Sequence, residues 1–293
     1  MSTKAIDFTT ITELDKEVLM KHFPDGVIAF DTETTGLSPL FDKIIEISAV
    51  KVTRDSITVF DQLINPSISI ENSQFHGISN EMVKDAPNTK SVLKDFQIFC
   101  KDLPLIAHNA RFDTGFATYE AFKNEMTLGE NDIYDSCHFA RMVFKNEASK
   151  FGLAYMTKYL SIPLYNHHRA LDDSLAALLV FSRSLLHKKK EVDKTWSEKR
   201  GVKDAFLFNL KDYHQPLENL PKRLELLKEH TPTQIPLLIK YKGGTMKNEF
   251  REVKPVSLLP LPMGNVLYAL CLRTNIYKNY ALKKIAEVKK IED

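Results

Sequence analysis

Apolar and polar positions along the chain follow two different patterns, which meet near residue 188. Up to that point, nearly continuous apolar runs typical of buried strands come first, such as Ile44–Val52, and helical periodicity follows, as in Ala170–Leu186. After residue 216 the apolar segments are short, alternate with polar residues and are separated by turns such as Gly243-Gly244. This order predicts an α/β domain followed by a smaller β-rich domain.

The same pattern divides the chain into four predicted parts. Residues 1–25 form an N-terminal helical extension, because an amphipathic segment at 10–23 stops at Pro24-Asp25-Gly26. Residues 26–187 form the α/β domain, and residues 188–215 are a linker that begins with a charged run lacking an apolar face. Residues 216–293 form the small basic β-rich domain.

Composition places the chain among ordinary soluble proteins. Of its 293 residues, 43% are apolar and 27% are charged. We expect no signal peptide, because no basic segment followed by an apolar one occurs near Met1. The apolar run at residues 175–181 is too short to span a bilayer, so we expect no membrane association. Cys100, Cys137 and Cys271 are scattered, which favours a reducing cytoplasm over a disulfide framework.

The net charge of +2 conceals a strong asymmetry. Residues 1–187 contain 18 Lys/Arg and 25 Asp/Glu, a balance of −7, and residues 188–293 contain 22 and 13, a balance of +9. The rear part could therefore bind a polyanion directly, whereas the front part would need intervening cations. An ordinary basic domain without an anionic partner is the alternative.

Two carboxylates end the first predicted strand. Asp31 and Glu33 follow four apolar residues, and their i, i+2 spacing places both on the same face of a strand. Neighbouring acids repel each other unless a cation lies between them, and hard oxygen ligands suit Mg²⁺ or Mn²⁺. The alternative is a strand that ends in a polar turn with both acids solvated.

Two further segments carry acids where apolar strands end or helices begin. Asp113 follows an apolar strand and opens a helix, while His168 precedes a helix in which Asp173 lies about one turn from the start. Taken singly, Asp113 could be a helix N-cap, Asp173 a charge at a helix N-terminus, and His168 a solvated loop residue. Together they could converge with Asp31 and Glu33 on one metal site.

At these residues the sequence resembles the DEDD exonucleases, in the branch with a histidine base that includes the proofreading epsilon subunit of bacterial DNA polymerase III and its stand-alone relatives. The resemblance covers about residues 26–186 and implies a ribonuclease H-like mixed sheet flanked by helices. The matching segments are Phe30-Asp31-Thr32-Glu33-Thr34-Thr35-Gly36-Leu37, Phe75-His76-Gly77-Ile78-Ser79, Ala107-His108-Asn109-Ala110-Arg111-Phe112-Asp113 and His168-Arg169-Ala170-Leu171-Asp172-Asp173.

The resemblance assigns a role to each matching position. His168 would be the general base, and the spacing His-x-Ala-x-x-Asp selects it over His167 and selects Asp173 over Asp172. Two Mg²⁺ or Mn²⁺ ions would bind at Asp31, Glu33, Asp113 and Asp173. The terminal nucleotide would contact Thr34, Thr35, Gly36, Leu37, His76, Asn109 and Phe112, although Leu37 and Phe112 could instead be ordinary core residues.

The implied activity is 3′→5′ exonucleolytic hydrolysis at a free 3′ end of single-stranded or frayed DNA, which releases nucleoside 5′-monophosphates. A role in DNA replication or repair would require a polymerase or repair partner, because the chain contains no polymerase segment. The alternatives are an exoribonuclease that trims RNA or short oligonucleotides, and a non-catalytic nucleic-acid-binding or polymerase-associated protein.

The C-terminal part contains the segments Ile239-Lys240-Tyr241, Arg251-Glu252-Val253-Lys254-Pro255, Tyr268-Ala269-Leu270 and Ala281-Leu282-Lys283-Lys284-Ile285. In these segments it more faintly resembles the WYL domain of bacterial regulators. The tripeptide that gives that family its name is absent, and expected arginines are lysines or missing. A small β domain that packs on the nuclease is the plain interpretation. Nucleic-acid binding is the other, favoured by the +9 balance and by four tyrosines, Tyr241, Tyr268, Tyr277 and Tyr280.

Overall fold

The computed structural model describes residues 8–163, 168–191, 200–212, 220–244, 247–261 and 264–291. The chain divides into two compact units that do not follow one another along the sequence. The first unit comprises Met1–Glu33, Ile44–Asp113 and Leu128–Lys211. The second unit comprises Thr34–Lys43, Thr114–Thr127 and Asp212–Asp293.

A six-stranded mixed sheet forms the centre of the first unit, with strand order β3-β2-β1-β4-β5-β6. β1 pairs with β4 in parallel, β4 with β5 in parallel, and β2–β3 and β5–β6 are antiparallel. β1 lies inside the sheet because its first four residues are apolar and fully buried. The strands are β1 Val27–Thr34, β2 Ile44–Val52, β3 Ile57–Leu63, β4 Leu105–Ala107, β5 Asp132–Asp135 and β6 Phe206–Asn209.

Helices accompany this sheet, and the longest of them, α8, packs against α1, α6, α7 and β2. Several of its apolar residues, such as Leu178 and Phe181, are fully buried in the main core of this unit. The helices are α1 Glu13–His22, α2 Ser73–His76, α3 Asn80–Val83, α4 Thr89–Cys100, α5 Arg111–Lys123, α6 Ser136–Val143, α7 Leu153–Tyr159, α8 Ala170–Glu191 and α9 Arg200–Lys203.

Helix α1 is attached to α8 by a buried carboxylate. Thr12 caps the helix and exchanges hydrogen bonds with Asp15, which satisfies backbone groups that a helix start leaves open. Asp15 is buried and also accepts hydrogen bonds from Ser182 Oγ and Arg183 Nε, each at 2.7 Å. The predicted N-terminal helix is therefore present, within the predicted residues 10–23, and packs against α8 inside the first unit.

A five-stranded antiparallel sheet, in the order β10-β9-β8-β7-β11, forms most of the second unit. Its core contains residues from all three segments of the unit, because Leu40, Phe41 and Tyr119 pack together with the C-terminal strands. The elements are α10 Glu225–His230, β7 Leu237–Tyr241, β8 Phe250–Leu259, β9 Val266–Cys271, β10 Ile276–Ala281 and β11 Ile285–Lys290.

The predicted fold class is confirmed: a helix-flanked mixed α/β sheet is accompanied by a smaller C-terminal β structure. The four-part division stays a prediction. β6, at residues 206–209, lies within the range predicted as linker and pairs with β5. His167 and residues 192–199 lie outside the described residues. In the described part of the chain, every helix is too short or too polar to cross a membrane.

Candidate active site

The end of β1 places two carboxylates on one side of the sheet. Asp31 and Glu33 are both partly buried, while Thr32 and Thr34, which alternate with them, are buried. The alternation follows from the pleat of a strand, in which successive side chains point to opposite faces. The predicted acid pair therefore shares one face of β1.

Asp113 reaches β1 from the first turn of α5. Because α5 begins at Arg111, Asp113 is a residue of the helix and not its N-cap. Its Oδ1 accepts hydrogen bonds from the backbone nitrogen and the hydroxyl of Thr32, at 3.0 and 2.8 Å. Asp113 is 2% exposed. Thr32 thus fixes the third acid beside the strand that carries the first two.

Asp173 and His168 approach from the start of α8. Asp173 is the fourth residue of the helix and is buried, while His168 is exposed in the preceding turn with φ of 67°. The backbone nitrogen of His168 donates to Asp173 Oδ2 at 3.3 Å. Glu33, His168 and Asp173 can each offer a ligand atom within 4.8 Å of the others.

A fifth acid near the site, Glu46 on β2, is absent from the sequence-based site. It is 1% exposed, its Oε1 accepts from Arg169 Nε at 3.1 Å, and its Oε2 accepts from Ala170 N at 2.9 Å. It therefore attaches the start of α8 to the sheet, next to His168 and Asp173. The available signal was a lone acid inside the apolar run of β2, since a buried charge needs a partner.

Burial, together with repulsion between neighbouring carboxylates, disfavours the ionised forms of the acids at the site. Burial, followed by the charges of Asp113, Asp173 and Glu33, raises the pKa of Asp31 well above its ordinary value. Burial and the charge of Asp173 raise the pKa of Glu33 to about 8. Burial raises the pKa of Asp113 to about 7, although hydrogen bonds from Thr32 act in the opposite direction. Crowded carboxylates that take up protons when no cation is present are suited to binding a divalent metal ion.

The four residues predicted to receive the terminal nucleotide begin at the end of β1 and belong to the second unit. Thr34 donates through its hydroxyl to Gly36 O, and Thr35 N donates to Lys43 O at 2.9 Å. A Cβ at Gly36 would lie 2.5 Å from Asp42 Cγ, so a side chain at this position would displace Asp42. Leu37 is 46% exposed, which excludes the alternative that it is an ordinary core residue.

The other three predicted substrate residues lie in the first unit. His76 is buried, its Nδ1 accepts from Ile78 N at 3.1 Å, and its Nε2 lies 3.2 Å from Asn72 Oδ1. Burial also lowers the pKa of His76, so its ring is neutral near pH 7. Asn109 is exposed in the turn before α5, with φ of 66°, and Phe112 is half-buried in that helix.

Carboxylates from β1, α5 and α8, with a histidine just before α8, are the arrangement of nucleases in the DEDD class. The sequence matches the exonuclease family model named RNase_T over residues 28–181, more than half of the chain. The protein belongs to this exonuclease family.

The curated relatives are much longer proteins. The chain is 37% identical over 168 residues to a PolC-type DNA polymerase III of Caldanaerobacter subterraneus subsp. tengcongensis, which covers 56% of this chain and 12% of that protein. It is 31% identical over 229 residues to the PolC-type DNA polymerase III of Staphylococcus haemolyticus, and this match covers 77% of this chain and 14% of that protein. The chain thus spans only a small fraction of the length of these relatives.

Among solved structures, exonuclease I superimposes with a TM-score of 0.51 at 14% sequence identity. The match covers 91% of this chain and 64% of exonuclease I. At that identity the similarity establishes the fold alone.

Proposed function

We propose that the protein is a divalent-metal-dependent 3′→5′ exonuclease that releases nucleoside 5′-monophosphates from DNA. The observation that carries the proposal is the convergence of carboxylates from β1, α5 and α8 with His168. A non-catalytic protein of the same fold would have no need to keep this costly set of like charges together.

The residues present fit the metal chemistry. Asp31, Glu33, Asp113 and Asp173 would bind two Mg²⁺ or Mn²⁺ ions, which suit oxygen ligands. When bound, such ions neutralise charge that develops on the phosphate during hydrolysis. This also explains how the acidic part of the chain, residues 1–187, can accept a polyanion.

The chain's own groups supply the remaining roles. His168 is exposed and next to Asp173, so its neutral imidazole can accept a proton from the attacking water. Leu37 offers an exposed apolar side chain for the last base, and contact of this kind is tolerant of sequence. His76, with both ring nitrogens engaged, contributes shape and not a proton.

DNA is the preferred substrate in this proposal, and the support comes from the PolC-type polymerases that share the sequence of the exonuclease region. Replication or repair in the cytoplasm, together with a polymerase or repair partner, follows as the biological role. Recognition of RNA would depend on a contact to the 2′-hydroxyl.

The test uses the purified full chain with Mg²⁺ and matched single-stranded DNA, duplex DNA and RNA. With a 5′ label, 3′→5′ hydrolysis gives a ladder of shortened strands, and with a 3′ label it gives mononucleotide from the start. Faster release of mononucleotides from RNA than from DNA would mean that RNA, and not DNA, is the preferred substrate. An endonucleolytic product pattern would contradict the proposal.

Variants of the candidate residues test the site itself. Asp31→Ala should abolish Mg²⁺-dependent release, and His168→Ala should lower the rate while metal binding is largely kept. Asp172→Ala is the matched control for Asp173→Ala, because only Asp173 is assigned to the metal. Loss of activity in the Asp172 variant and retention in the Asp173 variant would reverse that assignment.

A further inference from the structure

Two segments of the second unit begin directly after proposed metal ligands. Glu33 is the last residue of one first-unit segment, and Thr34 begins the second-unit segment that ends at Lys43. Asp113 likewise ends a first-unit segment, and the rest of α5 belongs to the second unit. The backbone leaving each of these two acids therefore runs into the structure formed by the C-terminal β-sheet.

The segment after Glu33 is named the β1–β2 loop (residues 34–43). A hydrogen bond inside the loop holds its backbone together, and the loop packs on the C-terminal β-sheet. Ser38 N donates to Asp42 Oδ2 at 2.9 Å inside the loop. Ser38 Oγ then accepts from Leu258 N on β8 at 3.1 Å, and Ser38 is 2% exposed. Leu40 and Phe41 pack against the apolar core of the sheet.

The segment after Asp113 is packed in the same core. Tyr119 is buried among the side chains of the C-terminal strands. At Gly115, a Cβ would lie 3.5 Å from Leu259 Cδ2, so α5 passes close to the end of β8. Lys43 Nζ pairs at 2.8 Å with Glu120, which is buried, and this ion pair joins α5 to the β1–β2 loop.

We propose that the C-terminal β-sheet is a positioning element of the active site, which acts through the β1–β2 loop and α5 on Glu33 and Asp113. This inference rests on the proposed function. The acids repel one another, so the backbone after each must be restrained if the ligands are to stay at metal-binding distance. The sheet supplies that restraint at two places, through Ser38 and through the end of β8.

The test compares two full-length variants, each with one side chain of the same apolar core truncated to alanine. Leu258→Ala is at the attachment of the β1–β2 loop, whereas Val288→Ala is on the edge strand β11, and both side chains are buried. Mn²⁺ affinity is measured by calorimetry without substrate, and kcat and KM are measured well below the thermal midpoint of each variant. Ser38→Ala is a milder second variant, which removes the acceptor of Leu258 N.

We expect Leu258→Ala and Ser38→Ala to weaken Mn²⁺ binding by about tenfold, the lower end of the effect of losing support around a metal site. Both variants should lower kcat and leave KM little changed. Leu258→Met should have a Mn²⁺ affinity and a kcat close to those of wild type. Val288→Ala should match wild type in metal affinity and kcat.

Equal metal affinity in wild type, Leu258→Ala and Ser38→Ala would overturn this inference and leave the proposed exonuclease function intact. An equal loss in Val288→Ala would also overturn it, because the effect would then be general destabilisation. A wild-type chain that binds no Mn²⁺ would overturn both this inference and the proposed metal-dependent function. A wild type that binds Mn²⁺ but hydrolyses nothing would overturn the function alone, since the affinity comparison needs no substrate.

Discussion

The metal-free protein should become more stable as the pH falls from 8 to 6, because its folded state then takes up protons that the unfolded chain does not. Glu33 has a folded pKa of about 8 against an ordinary value of 4.5, and Asp113 about 7 against 3.8. For an acid whose folded pKa is raised, the unfolding free energy falls as the pH rises between the unfolded and folded values. The destabilisation is complete above pH 8 and vanishes near pH 4.

The size of the effect follows from these two groups. Between pH 8 and pH 6, protonation stabilises the folded state by about 2 kcal/mol at Glu33 and about 1 kcal/mol at Asp113. The two charges contribute to each other's pKa, so about 2–3 kcal/mol is the expected total. Saturating Mn²⁺ should abolish this pH dependence, because the ion favours the ionised carboxylates.

Urea unfolding followed by circular dichroism, at pH 6, 7 and 8 with a chelator or with excess Mn²⁺, measures the effect. Glu33→Gln is the control, because the glutamate contribution of about 2 kcal/mol is absent from this variant. The comparison uses the unfolding free energy of wild type in chelator minus that of Glu33→Gln. A difference that stays constant or rises from pH 6 to pH 8 would refute the reasoning.

Three further outcomes are expected. Glu46→Gln should lower the unfolding free energy by about 2 kcal/mol and reduce kcat, because it breaks an ion pair at the start of α8 whose carboxylate is buried and whose arginine is partly exposed. Glu81→Gln, in a surface pair, should change stability by under about 0.5 kcal/mol, and equal effects in the two variants would contradict this. Burial raises the pKa of Asp15, but hydrogen bonds from α8 and from the helix cap outweigh burial, so the net effect is a lowered pKa. Asp15→Asn should therefore lower the unfolding free energy above pH 4. In urea unfolding, the difference between this variant and wild type should become smaller as the pH is lowered. If the exposed Tyr277 and the Tyr268 ring that stacks with it bind single strands, Tyr277→Ala should weaken DNA affinity by about fivefold across a salt series. Ile276→Ala, equally exposed on the adjacent position of β10, should not.

The sequence was sufficient to place a residue on its strand or helix where that placement depends only on the neighbouring residues in the chain. Asp31 and Glu33 lie at a strand end, and Asp173 lies one turn into a helix, so a period-2 and a period-3.6 pattern sufficed to place them. The N-cap interpretation of Asp113 was wrong, because α5 starts two residues earlier. Glu46 was missed, since one acid in an apolar strand gives no indication of its partner 123 residues away.

The division of the chain into units could not be read from the sequence for the same reason. Hydrophobic periodicity identifies a strand or a helix but carries no information about which distant element it packs on. Of the four tyrosines considered together, Tyr280 is buried against Tyr241, whereas Tyr268 stacks with the exposed Tyr277. That difference depends on strand pairing across β9 and β10.

The hydrogen bond between Ser38 and Leu258 has a consequence for the protein during its own synthesis. The two residues are 220 positions apart, and a ribosome that adds about 5–20 residues per second needs roughly 10–45 s to make the second after the first. The nascent chain carries all four acids and His168 long before the strand that fixes its β1–β2 loop has been made. A chain released before β8 has been made would therefore lack the hydrogen bond that attaches the β1–β2 loop to the C-terminal sheet.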